Sequence, residues 1–182
     1  MLSREEAWHI LETAELLVSA AQVEVTVHRI AEEIRARVAD ACPLVVSVMG
    51  GGVVFTGRIL PLLHFPLDFD YVHVTRYGDT LSGGRIEWVV RPRTPVRDRT
   101  VLVLDDILDE GNTLAAIRDG LLAEGARAVY SAVFAEKETG RAKPIRADFV
   151  GVRLPDRYVF GFGMDVRGAW RNLPAIYALG RR

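Results

Sequence analysis

The feature that most constrains the fold is an apolar segment that ends in two adjacent carboxylates. The run Thr100–Asp105 (TVLVLD) predicts a buried strand, and Asp106 follows it directly. Residues 106–112 predict a turn, and a helix is expected from Thr113 to about Glu124, closed by Gly125. A strand, a turn and a helix in this order indicate an α/β fold, in which ligands bind beyond the carboxyl ends of the strands.

The rest of the chain continues this alternation of helices and strands. Short β-branched runs predict further strands at Leu44–Met49, Leu67–Arg76, Ala128–Ala135, Ala147–Val152 and Tyr158–Phe162, with Arg85–Val90 as the return arm of a hairpin. Two helices are predicted before residue 40. The first reaches Val18, and the second has an apolar stripe from Val23 to Val38. A further helix is predicted from Gly52 to about Leu63. Strands that are apolar on both faces predict a mostly parallel sheet covered by helices.

Composition excludes several classes of protein. A length of 182 residues predicts one domain, and a net charge of -1 with 49% hydrophobic residues disfavours disorder and wholesale nucleic-acid binding. One cysteine rules out an intrachain disulfide or a cysteine zinc cluster. No apolar run is long enough for a membrane helix, and the first residues do not resemble a signal peptide. We therefore expect a cytoplasmic enzyme or binding protein.

The segment after the predicted strand carries groups suited to a sugar phosphate. Carboxylates at Asp105 and Asp106 accept hydrogen bonds from sugar hydroxyls, and the amides of a glycine-containing turn at a helix N-terminus bind anions. A solvated loop before a capped helix has a similar pattern. However, four acids within the six residues 105–110 repel one another, which favours a ligand site for a ribose 5-phosphate.

At this point the chain resembles a known family. The segment VLVLDDILDEGNTL (101–114) is similar to the phosphoribosyl-pyrophosphate (PRPP) loop of type I phosphoribosyltransferases. AEKETGR around Lys137 and DFVGVRLPDRYVFGFGMDV (148–166) are similar to the lysine segment, purine-binding strand and hood of the bacterial hypoxanthine-guanine phosphoribosyltransferases. The resemblance, from about Val23 to Arg182, implies one domain over residues 1–182. Its core would span about 40–155, with a small hood formed by the N-terminal helices and residues 156–182.

The resemblance implies a role for each residue that would hold PRPP. Asp105 and Asp106 would hold the ribose hydroxyls, directly or through Mg²⁺, and Arg171 would bind pyrophosphate. The 5-phosphate would lie against the loop of Asp109, Glu110, Gly111, Asn112 and Thr113.

The resemblance also implies how the base is held. Lys137 would donate to the purine O6, which selects 6-oxopurines over adenine. Tyr158 would stack on the ring, and the backbone of Val159 would contact the base edge. Asp109 would be the catalytic residue that manages the N7 proton, and Asp165 would hold a second Mg²⁺ near pyrophosphate.

Two loops depart from the family pattern. The first loop usually reads Leu, a basic residue and Gly, and binds pyrophosphate through a cis peptide. Here it reads Met49-Gly50-Gly51, which predicts weaker PRPP binding or compensation by Arg58 or by a neighbouring subunit. The mobile loop usually begins Ser-Tyr. Here it begins Arg76-Tyr77.

The mobile loop also carries a role. Tyr77 and Thr80 are predicted to exclude water from the reacting centre. An ordinary hairpin turn is the alternative.

The resemblance therefore implies a magnesium-dependent transferase of purine salvage. It would convert hypoxanthine or guanine and PRPP to IMP or GMP and pyrophosphate, as a homodimer or homotetramer. Two alternatives stay open: an RNA-binding, nucleotide-sensing regulator on the same fold, and a phosphoribosyltransferase for another base such as xanthine or uracil. The basic stretch Arg85, Arg91, Arg93, Arg97 and Arg99 fits an RNA patch, a solvated hairpin edge or dimer salt bridges.

Overall fold

The computed structural model describes residues 2–77 and 85–180, and only the backbone of residues 76, 77, 85 and 86. In chain order its elements are α1 (Arg4–Glu12), β1 (Glu15–Val18), α2 (Ala20–Val38), β2 (Leu44–Met49), α3 (Gly52–Ile59), β3 (Asp68–Tyr77), β4 (Arg85–Val90), β5 (Thr100–Leu108), α4 (Asn112–Ala123), β6 (Ala128–Glu138), β7 (Phe149–Pro155), β8 (Val159–Phe160) and β9 (Ile176–Ala178). Short 3₁₀ turns follow α2 and α3. Among the described residues, no helix has the length and apolar character needed to cross a membrane.

The main sheet has the strand order β4-β3-β2-β5-β6-β7. Each neighbouring pair is parallel except β3 and β4, which form an antiparallel hairpin. The predicted α/β fold with a mostly parallel sheet flanked by helices is therefore confirmed. Parallel strands bring their carboxyl ends to one edge of the sheet, and this edge is where the candidate site lies.

Apolar layers cover both faces of the sheet. On one face, α2 and α3 bury Val45, Leu102 and Phe134. On the other face, Ile117 of α4 packs in one apolar cluster with Val103. Phe134 also contacts Phe55 of α3 and Phe162, with ring centroids 5.7 and 4.4 Å apart respectively. Since Phe162 lies beyond β8, this aromatic cluster joins the C-terminal segment to the central sheet.

The N-terminal prediction was partly wrong. Helix α1 begins with a capping box, in which the Ser3 hydroxyl and the Glu6 carboxylate each accept a backbone N–H, but α1 ends at Glu12. Residues 15–18 form β1, which pairs antiparallel with β9. The helical spacing of Val18 misled because a four-residue strand contains too few side chains to reveal its period.

A second, smaller sheet has the order β1-β9-β8, and α1 directly precedes its first strand. Trp170 holds α1 in place, because its indole N–H donates to Ala7 O at 2.8 Å and its ring packs edge-on against Trp8. Helix α2 packs against β7 of the main sheet and against the neighbouring helix α3. The division into a core and a hood at the predicted boundaries stays a prediction.

Candidate functional site

Two buried carboxylates form the floor of the site. Strand β5 continues to Leu108, paired with Glu136 of β6, so the predicted turn at Asp106 was wrong and the chain leaves the sheet only after Leu108. Asp105 and Asp106 therefore lie within the strand, each 8% exposed. Their oxygens accept the next backbone N–H in the chain, from Asp106 at 2.9 Å and from Ile107 at 2.8 Å.

The surroundings of these two carboxyl groups disfavour their ionised forms. Burial, together with the neighbouring Asp106 carboxylate, raises the pKa of Asp105 well above its usual value. Burial also raises the pKa of Asp106, although the Ile107 N–H and the charge of Arg171 oppose the rise. A ligand that brings positive charge or hydrogen-bond donors to these oxygens is therefore favoured here.

The predicted phosphate loop leads into α4. Gly111 precedes the helix with φ of 87°, a left-handed conformation that favours glycine. A Cβ at Gly111 would lie 3.3 Å from Ile145 and 3.4 Å from Leu108 and Pro144, so this loop packs closely on its surroundings. Helix α4 begins at Asn112, at the edge of the sheet, and the first-turn amides of a helix are suited to bind an anion.

An ion pair joins this loop to the neighbouring strand. Lys137 Nζ donates to Asp109 Oδ2 at 2.6 Å, and the lysine side chain is 13% exposed. Asp109 follows β5, and Lys137 lies near the end of β6. The structure thus brings together an acidic and a basic group that are 28 residues apart in the chain.

Two cavities meet at Asp109. The first, of about 230 Å³, is lined by Asp106, Ile107, Asp109, Lys137, Tyr158, Val159, Met164, Asp165 and Arg171. The second, of about 270 Å³, is lined by residues that include Met49, Gly51, Asp105, Glu110, Gly111 and Thr113. Both are bordered by Asp106, Ile107, Asp109 and Arg171. The residues predicted for the base line the first cavity, and most of those predicted for PRPP line the second, which shares a wall with the first.

Arg171 is held at this shared wall by internal contacts. Its guanidinium pairs with Asp165 at 2.5 Å and donates to Gly163 O at 2.6 Å. The second Asp165 oxygen accepts from Gly168 N at 2.7 Å, so both oxygens of this carboxylate have protein partners. Tyr158 is half exposed, and its hydroxyl donates to Asp165 O at 3.3 Å.

The first loop lies directly against the acidic floor. The Met49–Gly50 peptide bond is cis, as the resemblance implies. A Cβ at Gly51 would overlap the Asp106 carboxylate, whereas one at Gly50 would have no neighbour within 4 Å. Arg58, which was considered as a replacement for the missing basic residue, forms an ion pair with Glu24 of α2.

Some predicted residues are not on these walls. Gly50 and Asn112 line neither cavity, and Asn112 Nδ2 lies 3.4 Å from Glu110 Oε2. Thr80 and the side chain of Tyr77 lie outside the described part of the chain. Sequence reasoning missed Ile107 and Met164 as lining residues, because ordinary apolar side chains carry no signal of a pocket.

Two arginines of the basic stretch form ion pairs with other residues that the structure describes. Arg91 forms an ion pair with Glu124 and lies over the Trp88 ring, and Arg99 pairs with Asp68 at 2.7 Å. The backbone N–H groups of Arg93 and Thr94 donate to Asp70. These contacts favour the solvated hairpin edge over an RNA patch.

Fold and site together define an α/β protein with a ligand site at the carboxyl edge of a parallel sheet. The Phosphoribosyl transferase domain family matches residues 15–167. This chain therefore belongs to the phosphoribosyltransferase family.

Individual relatives point to one branch of the family. The chain is 30% identical over 165 residues to hypoxanthine-guanine phosphoribosyltransferase of Bacillus subtilis (strain 168), covering 90% of this chain and 92% of that protein. It is 32% identical over 162 residues to the bifunctional protein TilS/HprT of Listeria innocua, covering 88% of this chain but only 25% of that longer protein. The crystal structure of a hypoxanthine phosphoribosyltransferase from Staphylococcus aureus superposes with a TM-score of 0.88 over 97% of this chain and 96% of that one. At 22% identity this likeness supports the fold alone.

Proposed function

We propose that this protein transfers ribose 5-phosphate from PRPP to hypoxanthine or guanine, giving IMP or GMP and pyrophosphate. The observation that carries the proposal is the Asp109–Lys137 pair at 2.6 Å, which borders the cavity assigned to the base. Asp109 also borders the cavity assigned to PRPP. An acid-base pair between the two substrates is what transfer to a purine nitrogen requires.

On the base side, the side chains present match a 6-oxopurine. The Lys137 ammonium is a donor only, so it suits O6 of hypoxanthine or guanine and not the 6-amino group of adenine. Tyr158 offers a half-exposed ring for stacking, and Val159 offers backbone groups to the base edge. When Lys137 turns to O6, Asp109 becomes available to take the N7 proton, which makes N9 a better nucleophile.

On the PRPP side, Asp105 and Asp106 would accept hydrogen bonds from the ribose hydroxyls, and the loop of residues 109–113 would bind the 5-phosphate. Arg171 would exchange its contact with Asp165 for the departing pyrophosphate. Charge develops on the leaving group as the bond to C1′ breaks, so a guanidinium fixed beside it stabilises the transition state. Asp165 would then be free to hold a cation.

The donor set also fits Mg²⁺. Asp105 and Asp106 are buried oxygen donors, and burial raises the pKa of both carboxyl groups, so a bound cation would favour their ionised forms. Among the described residues no cluster of three or more His, Cys, Asp or Glu is arranged as a metal cage, which agrees with a cation that takes its other ligands from phosphates and water. When bound, Mg²⁺ would neutralise charge on the pyrophosphate group. Asp105 and Asp106 would hold it, with Asp165 at a second position.

Assembly and location complete the proposal. A homodimer or homotetramer is proposed, and it is supported by Val53 on α3 and by Phe69 and Tyr71 on β3, which are large apolar side chains left exposed. Sedimentation of the purified chain tests this, since a monomer at micromolar concentration would contradict it. A cytoplasmic location stays a prediction.

The activity is tested by mixing the purified chain with PRPP, Mg²⁺ and each of hypoxanthine, guanine, xanthine, adenine and uracil. We expect IMP or GMP to form, and chelation of Mg²⁺ to stop the reaction. Asp109→Asn is expected to lower kcat by about 10²–10⁴-fold. Asp119→Asn is the matched control, because Asp119 is a surface carboxylate of α4 that pairs with its neighbour Arg118.

Each other outcome has a defined meaning. Preferred turnover of xanthine would move the specificity to that base. Turnover of no base, with PRPP still bound, would refute the transferase and favour the regulator. Salt-dependent RNA binding by the same protein would then be the next measurement.

A further inference from the structure

A partly buried lysine outside the predicted site, Lys143, contacts the backbone next to the Asp109–Lys137 pair. Lys143 belongs to the connection between β6 and β7, and its side chain is 11% exposed. Its ammonium donates to Lys137 O at 2.6 Å and to Leu108 O at 3.2 Å, and it lies 3.3 Å from a Glu136 carboxylate oxygen. These three acceptors use all three hydrogens of the ammonium group.

The two carbonyl groups belong to the strands that present the acid-base pair. Leu108 is the last residue of β5 and directly precedes Asp109, and Lys137 lies one residue from the end of β6. The paired register of the two strands ends at Leu108 opposite Glu136. Lys143 therefore links β5 and β6 through their backbone carbonyl groups at the point where the pairing of the two strands ends.

The residues after Lys143 contact the phosphate loop. Pro144 and Ile145 pack against Gly111, since a Cβ on Gly111 would lie 3.4 Å from Pro144 and 3.3 Å from Ile145. One short segment thus fixes the backbone on both sides of Asp109 and the backbone of Lys137. A displacement of this segment would change the distance between the two functional side chains without touching either of them.

We propose that Lys143 is a positioning residue that holds Asp109 and Lys137 at the separation needed for base selection and proton transfer. The inference rests on the proposed function, because it concerns the same acid-base pair. Lysine suits this task, since one ammonium group reaches two carbonyls and a carboxylate that do not face each other. A shift of about 1 Å in a reacting group is enough to slow catalysis by roughly 100-fold.

The test is a double-mutant cycle in the full chain. Lys143→Met removes the donors but keeps an unbranched side chain, and Lys137→Met removes the base contact. We expect Lys143→Met to lower kcat/KM for the base by about 10-fold or more while the affinity for PRPP changes less than about 2-fold. If Lys143 acts through the Asp109–Lys137 pair, the combined effect of Lys143→Met and Lys137→Met on kcat/KM will be clearly smaller than the product of the two single effects. Lys143→Arg, which keeps the charge and the donors, is expected to recover part of the rate.

The control is Arg146→Met, which removes an exposed cation from the same connection and is expected to leave all constants unchanged. If Lys143→Met does not fold, the cycle uses Lys143→Gln, which keeps two donor hydrogens. Base kinetics equal to wild type, or effects of the two substitutions that multiply, would overturn the positioning role. Absence of turnover in the wild type would instead refute the proposed function, so the two failures are distinguishable.

Discussion

Adjacent glycines in the first loop provide a sharp test of how the acidic floor is built. Gly51 has φ of −66° and ψ of −46°, a right-handed conformation that alanine adopts easily, so Gly51→Ala adds no backbone strain. The added methyl group would, however, overlap the Asp106 carboxylate. The same methyl group on Gly50 meets nothing within 4 Å, which makes Gly50→Ala the matched control.

The magnitude follows from what the carboxylate must give up. Moving Asp106 aside breaks its bond to the Ile107 N–H at 2.8 Å, and a hydrogen bond to a charged group contributes about 1.5–3 kcal/mol. A carboxylate displaced from the ribose would lose a similar amount in the transition state. Since about 1.4 kcal/mol is a tenfold change in rate, kcat/KM for PRPP should fall by roughly 10- to 150-fold. Overpacking should lower the free energy of unfolding by a further 1–3 kcal/mol or so.

The assay measures initial rates over a range of PRPP concentrations at saturating base, together with thermal unfolding. A domain of this size loses about 2–4 °C in Tm for each kcal/mol, so Gly51→Ala should melt measurably below Gly50→Ala. If the two variants have the same kcat/KM for PRPP and the same Tm, the close packing of Gly51 on Asp106 has no functional consequence, and the reasoning is refuted.

Three further predictions concern the acidic floor and the two loops. Asp105→Asn should abolish turnover yet raise the Tm measured without Mg²⁺, because burial raises the pKa of Asp105 and its ionised form opposes folding at neutral pH. Between the usual Asp pKa of 3.8 and the raised pKa of Asp105, the native state of the wild type binds more protons than the unfolded state. Its free energy of unfolding should therefore fall as the pH rises through this window. The fall should be smaller in Asp105→Asn. Gly50→Lys, placed where a side chain meets open space, should lower the KM for PRPP, and an unchanged or higher KM would contradict the role assigned to the missing charge. Tyr77→Ala should increase hydrolysis of PRPP in the absence of base, and normal turnover without added hydrolysis would refute the role of Tyr77 in excluding water.

The central part of this site was predictable because its signals are local. An apolar strand, two acids, a glycine turn and a helix occupy residues 100–124 without interruption, so one continuous segment carries the whole pattern. The strand extended three residues further than predicted. Asp106 is a poor strand former by propensity, but pairing with β6 overrides that preference.

The parts that could not be predicted depend on contacts between distant residues. Strands β1 and β9 are only four and three residues long, and they pair across more than 150 positions of the chain, so neither shows a period of its own. Lys143 looked like an ordinary charged loop residue. Only the folded chain shows that its ammonium meets the carbonyl groups at the ends of β5 and β6.

Both basic groups of the site, Lys137 and Arg171, already have acidic partners within the protein, and this affects how ligands bind. Lys137 is already paired with Asp109, and Arg171 with Asp165, so the groups assigned to the base and pyrophosphate are neutralised within the protein. A purine arriving alone must replace a charge-assisted bond of Lys137 with a bond to a neutral oxygen, which is weaker. A phosphate bound at residues 109–113 would repel the Asp109 carboxylate and so weaken its ion pair with Lys137.

We therefore expect guanine to bind weakly by itself, and at least about tenfold more tightly when ribose 5-phosphate, pyrophosphate and Mg²⁺ are present, which is a coupling of the usual size between sites. Calorimetric titration of guanine with and without these compounds measures the coupling directly. Lys137→Met should abolish it, because the variant has no ion pair for the phosphate to release. Equal affinity under both conditions would show that the ion pair does not restrain the base site, and that Lys137 is available for O6 before PRPP binds.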